Sequence, residues 1–268
     1  MSSGSGPGSG SGSVPGAEEG PPGERIAKRL ARAGLCSRRE AERWIAAGRV
    51  VVNGSVLSTP AITVSAGDTI VVDGLPLPAA EAPRLWRYHK APGLVVTHRD
   101  PQGRPTVFDD LPKQLPRLVS VGRLDLTSEG LLLLTNDGAL ARHLELPDTG
   151  WTRRYRARVH GAVDTAALSK LAKGVRVDGV RYGPIQVEVE SRDDGTAAQR
   201  RANTWLVVSL AEGRNREVRN VLGHLGLVVN RLIRVAYGPF QLGRLPRGAV
   251  SEVRRKVLLE QVGREFAG

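Results

Sequence analysis

Three segments concentrate the side chains that could do chemistry. The first, GRLDLTSEGLLLLTND from Gly122 to Asp137, sets Asp125 between Leu124 and Leu126, just ahead of four consecutive leucines. Arg123, Glu129 and Asp137 lie in the same stretch. The second, RRYRARV, encloses Tyr155 among Arg153, Arg154 and Arg156. The third, EGRNREVRNVLGHLG, spaces Arg216 and Arg219 three residues apart, on adjacent turns of one helix face. An acid inside an apolar run is costly unless it is paired or hydrogen-bonded. Asp125 is therefore a turn residue, half of a structural ion pair, or a reactive carboxylate. Each segment also has a plain structural reading. Asp closes turns through its side chain, Asp137 suits a helix N-cap, and Leu131–Leu134 reads as a buried strand. Tyr155 taken alone is a half-buried core aromatic, and Arg216 and Arg219 could pair with Glu212 and Glu217. Asp125 and Glu129 together also admit a glycoside hydrolase with two carboxylates, although 4% aromatic residues is poor for a sugar site.

The elements that must hold these residues follow from periodicity and turn signals. Residues 1–23 are almost entirely Gly, Ser, Pro, Ala and Glu, a disordered tail by composition. From Glu24 the pattern is helical, with Ile26, Leu30 and Ala33 on one face and Arg25, Arg29 and Arg32 on another. A second helix follows, with Ser37 and Glu40 at capping-box spacing, Ala41, Trp44 and Ile45 apolar, and Gly48 at its end. Residues 49–74 alternate short β-branched runs with the turn pairs Asn53-Gly54 and Asp73-Gly74. The expected organisation is a small module over 24–75, a Pro/Ala-rich linker over 76–84, a larger domain over 85–262 and a short tail over 263–268. In the larger domain RLWRYHKAPGLVVTHRD reads as strand, turn at Pro92-Gly93 and second strand. DGALARHLEL is a short helix stopped near Pro147, TRRYRARVHG a strand, and DTAALSKLAKG a capped helix. PIQVEVES and TWLVVSLA form a strand pair around Asp194-Gly195, NREVRNVLGHLG is a helix capped by Asn215, and RLIRVAYGPFQLG is mostly strand. Without strict βαβ alternation, the fold class is α+β, mixed and largely antiparallel.

Bulk properties narrow the function classes. A net charge of +12 over 268 residues favours a polyanionic partner. Between Glu24 and Gly74 eight Lys or Arg stand against five acids, and between Arg200 and Lys256 twelve against three, so both regions carry basic surface. Cys36 is the only cysteine, which excludes an internal disulfide and argues against a thiolate metal site. His89, His98, His143, His160 and His224 are scattered without ligand spacing, so no metal is expected. No apolar run approaches the roughly 20 residues that span a bilayer, and no secretory signal pattern opens the chain. The expectation is a cytoplasmic, monomeric protein.

The stretch SRREAERWIAAGRVVVNG resembles the alpha-L RNA-binding module named from a small-subunit ribosomal protein. VGRLDLTSEGLLLLTNDG resembles the catalytic signature of RNA pseudouridine synthases, in the ribosomal branch that carries such a module. RRYRARVHG, EGRNREVRNVLGHLG and YHKAPGLVVTHRDPQGRPTVFDDL resemble further motifs of that family, so the likeness spans Glu24 to Gly248. Arg153 is a departure, standing where the family commonly has Lys. The resemblance implies an alpha-L module followed by a pseudouridine synthase domain, with no cofactor. It implies Asp125 as catalytic aspartate, Tyr155 against the target base, and Arg219 paired with the aspartate. A carboxylate at C1′ can attack as nucleophile or remove the 2′ proton. For RNA contacts the expected residues are Arg25, Lys28, Arg29, Arg32, Arg38, Arg39 and Arg43 in the module. In the larger domain they are Arg123, Arg153, Arg154, Arg214 and Arg216. The substrate implied is ribosomal RNA or a subunit precursor, the large subunit first and the small subunit second. A noncatalytic RNA-binding or assembly protein on the same fold is the rival from another class.

Overall fold

A computed structural model describes residues 23–146, 149–190 and 203–266, which fall into two compact units divided after Pro78. Residues 1–22, Asp194-Gly195 and residues 267–268 lie outside the described residues, as does Pro147.

In the first unit β1 (Glu24–Arg25) leads into α1 (Ile26–Arg32), and α2 (Arg38–Ala46) follows. Ser37 caps α2 by accepting from the Glu40 N–H at 3.1 Å. Only that half of the expected capping box forms, because the Glu40 carboxylate faces Arg43 at 3.4 Å. A sheet in the order β3 (Ser55–Val56), β2 (Val50–Val52), β5 (Ile70–Val72), β6 (Leu75–Pro76) packs behind the helices, and β4 (Thr63–Val64) pairs with β1. Both hairpins turn at left-handed pairs, Asn53-Gly54 and Asp73-Gly74, as two-residue hairpin turns require. Ile26, Leu30, Ala41, Ile45, Val50 and Ile70 form the core. Trp44 is only half-buried, and the Arg49 guanidinium lies 4.6 Å from its ring centre.

The second unit is built on a mixed, mainly antiparallel sheet. Its strands in chain order are β7 (Leu85–Lys90), β8 (Val119–Val121), β9 (Glu129–Thr135), β10 (Arg153–His160), β13 (Ile185–Val189), β14 (Thr204–Leu210), β15 (Val228–Tyr237), β16 (Phe240–Gln241) and β17 (Val250–Glu252), with β11 (Val175–Val177) and β12 (Val180–Tyr182) forming a separate hairpin. The spatial order is β13-β14-β10-β15-β9-β7-β17, and β9 meets β15 in parallel. All seven residues of β9 are buried, which explains the four leucines. Leu132 and Leu134 pack with Trp86 and Tyr88 on one face, and Leu131 and Leu133 with Leu140, Leu144 and Tyr237 on the other. Gly130 is obligatory here: its φ is +104°, and a Cβ would lie 2.3 Å from the Arg234 carbonyl oxygen.

The helices are α3 (Val107–Asp110), α4 (Gly138–Glu145), α5 (Thr165–Lys170), α6 (Glu217–His224) and α7 (Arg255–Val262). Asp137 caps α4 through two bonds of 2.7 Å, and Asp164 caps α5. Asn215 does not cap α6. The cap position is Arg216, in left-handed conformation at φ +51°, and the Glu217 carboxylate takes the N–H groups of Gly213 (2.9 Å) and Arg214 (2.7 Å). Nor does a second strand follow Pro92-Gly93. Val95 makes one isolated bridge to Thr106, and its backbone bonds Pro105 in the loop and Val107 at the start of a short helix.

Candidate active site

Asp125 sits in the loop between β8 and β9, at the head of a turn closed by the Ser128 N–H donating to its carbonyl at 3.0 Å. What holds this turn is not among the residues that the sequence motifs single out. Lys90, at the end of β7, is wholly buried, and its ammonium donates to the carbonyls of Ser128 (2.8 Å), Ala91 (3.0 Å) and Asp125 (3.2 Å), with Leu126 at 3.4 Å. Burial pushes the Lys90 amine down to about 8, against the pull of the Asp125 and Glu129 carboxylates. One signal does mark it in the sequence: Lys90 shares the parity of Trp86 and Tyr88 along its strand, which is the core-facing parity.

The Asp125 side chain is 26% exposed, not buried as its apolar flanks suggest, because it faces an open cleft and its neighbour Leu124 takes the core position. Two cations approach it from the start of α6. Arg216 Nη1 lies 3.6 Å from its carboxylate and Arg219 Nε 3.9 Å. These are ion pairs beyond hydrogen-bond reach. Arg219 is 13% exposed and anchored by donating to the Val229 carbonyl at 2.8 Å. Burial, then the Arg216 charge, lower the Arg219 guanidinium from its ordinary value, while Asp125 opposes them. Both cations place positive charge beside the Asp125 carboxylate.

The cleft encloses about 710 Å³ and is lined by Asp125, Leu126, Tyr155, Arg123, Arg214 and Arg216 among others. Tyr155 is buried on its wall. Directly opposite Tyr155, across the β10–β15 pairing, stands Arg234, whose Nε donates to the Leu131 carbonyl at 2.7 Å. Thus α6, β10, β15 and the β8–β9 loop converge on one concavity, joining Asp125 and Tyr155 with Arg123, Arg214 and Arg216.

Two arginines expected to grip RNA are placed otherwise. Arg153 borders the cleft but is 6% exposed, and its guanidinium is engaged by the carbonyls of Trp151 and Ala211 and by the Tyr237 hydroxyl. It is a fixture of the wall, since its donors point inward. Arg154 is exposed, but strand alternation turns it to the face opposite Tyr155. Within the module, Lys28 and Arg32 both pair with Glu24, at 3.2 and 2.7 Å, and Arg43 pairs with Glu40. Arg25, Arg29, Arg38 and Arg39 carry no ion pair among the described residues and remain available to phosphates.

Glu129 is not a second catalytic carboxylate. Its buried carboxylate accepts from Arg231 at 2.5 and 3.1 Å and meets Arg247 at 2.7 Å. Burial pushes this carboxyl up, yet the two arginines hold it below its ordinary value. The glycosidase reading loses its second acid. Among the described residues no cluster of three or more His, Cys, Asp or Glu is arranged for a metal, and no helix is long and apolar enough to cross a membrane.

The family described as RNA pseudouridylate synthase matches residues 84–224, and the S4 domain family matches residues 24–70. An uncharacterized RNA pseudouridine synthase of Rickettsia felis is 43% identical over 235 residues, covering 88% of this chain and 99% of the relative. Ribosomal large subunit pseudouridine synthase B of Yersinia pestis is 42% identical over 241 residues, covering 87% and 74% respectively. A crystal structure of a pseudouridylate synthase shares the fold, with a TM-score of 0.62 and 24% identity over 89% of this chain and 99% of that one.

Proposed function

From the premise that this chain belongs to the RNA pseudouridylate synthase family, we propose that it converts a specific uridine of large-subunit ribosomal RNA to pseudouridine, with Asp125 acting at C1′ of a flipped nucleotide. The observation that carries the reading is Asp125 itself: a clamped turn presents an accessible carboxylate to a basic cleft, with Arg216 and Arg219 beside it. The reaction must break the bond from uracil N1 to ribose C1′, turn the base and join C5 to C1′. The Asp125 carboxylate serves as nucleophile at C1′ or as base toward the 2′ proton, with the two arginines beside it.

Tyr155 gives the uracil a flat wall and sets a phenol near the C5 proton that must leave. Extruding the nucleotide costs roughly a few kcal/mol. Arg123, Arg214 and Arg216 at the cleft, and the unpaired arginines of the S4 module, offset that cost by holding flanking phosphates. The 42% identity to the large-subunit enzyme of Yersinia pestis supports the choice of RNA.

The test is tritium release from ribosomal RNA labelled at C5 of uridine, with the native chain and Asp125→Asn, on each subunit's RNA as naked RNA and as assembling particle. Release from the large-subunit RNA by the native chain alone is expected. Release by Asp125→Asn at the native rate removes the acid from the mechanism. Release confined to small-subunit RNA reassigns the substrate, and none from any substrate refutes the activity.

A further inference from the structure

Building on that reading, we propose that Arg234 is a further catalytic residue: its free guanidinium arm donates to a carbonyl oxygen of the flipped uracil and holds the base while it carries negative charge. Arg234 is 3% exposed and lines the same cleft as Asp125 and Tyr155. Its Nε is pinned by the Leu131 carbonyl, and its Nη2 is buried without a hydrogen-bond partner among the described residues. No carboxylate pairs with it among the described residues either, and its charge lies 5.2 Å from the centre of the Tyr237 ring.

Two other arginines show how this fold treats a structural guanidinium: Arg153, buried without a carboxylate partner among the described residues, has Nη1 and Nη2 engaged by the Trp151 and Ala211 carbonyls and the Tyr237 hydroxyl. Arg231 is matched by the carboxylate of Glu129 through two bonds. Arg234 has neither a carboxylate nor a partner for Nη2 among the described residues, and a buried donor left unpaired is expensive. Anchoring the Leu131 carbonyl would need one neutral donor. The surplus is a charged, unpaired donor on a residue that lines the cleft, which points to a ligand.

Depth in the cleft identifies the ligand atom. A flipped nucleotide enters base first, so its phosphates stay at the rim among the exposed Arg123, Arg214 and Arg216. The buried guanidinium meets the base edge, beside the ring held by Tyr155, its direct cross-strand partner. Uracil presents O2 and O4 there, both acceptors. When N1 separates from C1′ the bonding pair leaves with the base, and the charge spreads over N1, O2 and O4. A preorganised donor at one of those oxygens binds more strongly at that moment than before it. The pair is then used to join C5 to C1′, the C5 proton departs and N1 gains a proton, so the isomerisation balances with no co-reactant.

Arg234→Gln and Arg234→Lys test this in single-turnover assays, with RNA affinity and thermal unfolding measured alongside. For Arg234→Gln the rate is expected to fall roughly 10²–10³-fold with affinity near native, and Arg234→Lys to fall less. The decisive comparison uses RNA with 5-fluorouridine at the target, read as loss of that nucleoside from nuclease digests. Fluorine stabilises the departing anion, so the native-to-variant rate ratio should shrink. An equal ratio on both RNAs would assign Arg234 a merely structural role, and a loss confined to affinity would make it a phosphate grip. Either result, or a folded Arg234→Gln at native rate, overturns the proposal. Should Arg234→Gln not fold, the same ratio for Arg234→Lys decides. Failure of the native chain to form pseudouridine counts against the proposed function, which this comparison keeps separate.

Discussion

Replacing Lys90 with Met would test whether the reactive turn depends on its buried clamp. An ammonium has three protons, and three carbonyls lie within 3.2 Å of Lys90 Nζ. Bonds from a charged donor contribute roughly 1.5–3 kcal/mol each, about 4.5–9 kcal/mol for the three. Against this stands the cost of burying the charge. The fall from 10.5 to about 8 corresponds to roughly 3 kcal/mol in favour of the neutral amine. The balance is a net stabilisation of roughly 1–6 kcal/mol, so Lys90→Met is expected to lower stability by ~3 kcal/mol. Activity should fall further, because the Asp125 and Ser128 carbonyls lose their shared donor and the carboxylate leaves its place beside Arg216. Urea unfolding followed by tryptophan fluorescence reads the stability, and tritium release the activity. The sign with pH is also fixed. The folded value lies below the unfolded one, so the full cost of the charge is present below about 8. It is relieved as pH rises toward 10.5, where the unfolded chain still holds the proton. The stability gap between the native chain and Lys90→Met should therefore widen above about pH 8. A variant with native stability, native release and a gap independent of pH would refute the clamp.

Gly130→Ala should be clearly less stable than Gly93→Ala: both glycines have positive φ, but a Cβ at 93 meets nothing within 4 Å, whereas at 130 it strikes the β15 backbone. The added overpacking is worth roughly 1–3 kcal/mol or more by thermal unfolding. Glu129→Gln should cost about 1–3 kcal/mol at neutral pH, discounted because Arg231 and Arg247 are partly exposed. Since the folded Glu129 value is depressed, its contribution is present above about 4.5 and lost as pH falls through the folded value, so acid titration should destabilise the native chain more than the variant. Arg38→Glu with Arg39→Glu should weaken RNA binding and flatten its salt dependence by roughly 0.7–0.9 for each phosphate no longer neutralised, and an unchanged slope would remove these residues from the RNA surface.

How much of this is legible in the sequence depends on the range of the interaction. The left-handed turns at Asn53-Gly54 and Asp73-Gly74, the Asp137 cap and the double-sided burial of Leu131–Leu134 are local, and composition declares them. The Asp125 segment is conspicuous as an acid among leucines. Lys90 is not, because its partners in the turn lie 35 to 38 residues away and are carbonyls, which every residue has. Arg234 escapes for a related reason. Its neighbour Arg231 looks the same in sequence, and only the fold gives one a carboxylate and the other none. The Asn215 cap is displaced by the Glu217 carboxylate, a competition between two local solutions that propensity does not rank. Adjacency groups Arg154 with Tyr155, and the pleat of β10 separates them.

The interleaved strand order has a consequence in time. Asp125 emerges 35 residues after its Lys90 clamp, but Arg216, Arg219 and Arg234 arrive far later, on α6 and β15, and β7 waits for β17 at 250–252 to complete its pairing. A chain growing at roughly 5–20 residues per second exposes the aspartate some 5–20 s before its arginines exist. Sheets closed by such distant pairings form slowly. A half-made chain therefore presents an acid without the cations that flank it. If the substrate is ribosomal RNA, this order of assembly keeps a nascent enzyme inert toward the ribosome that is still making it.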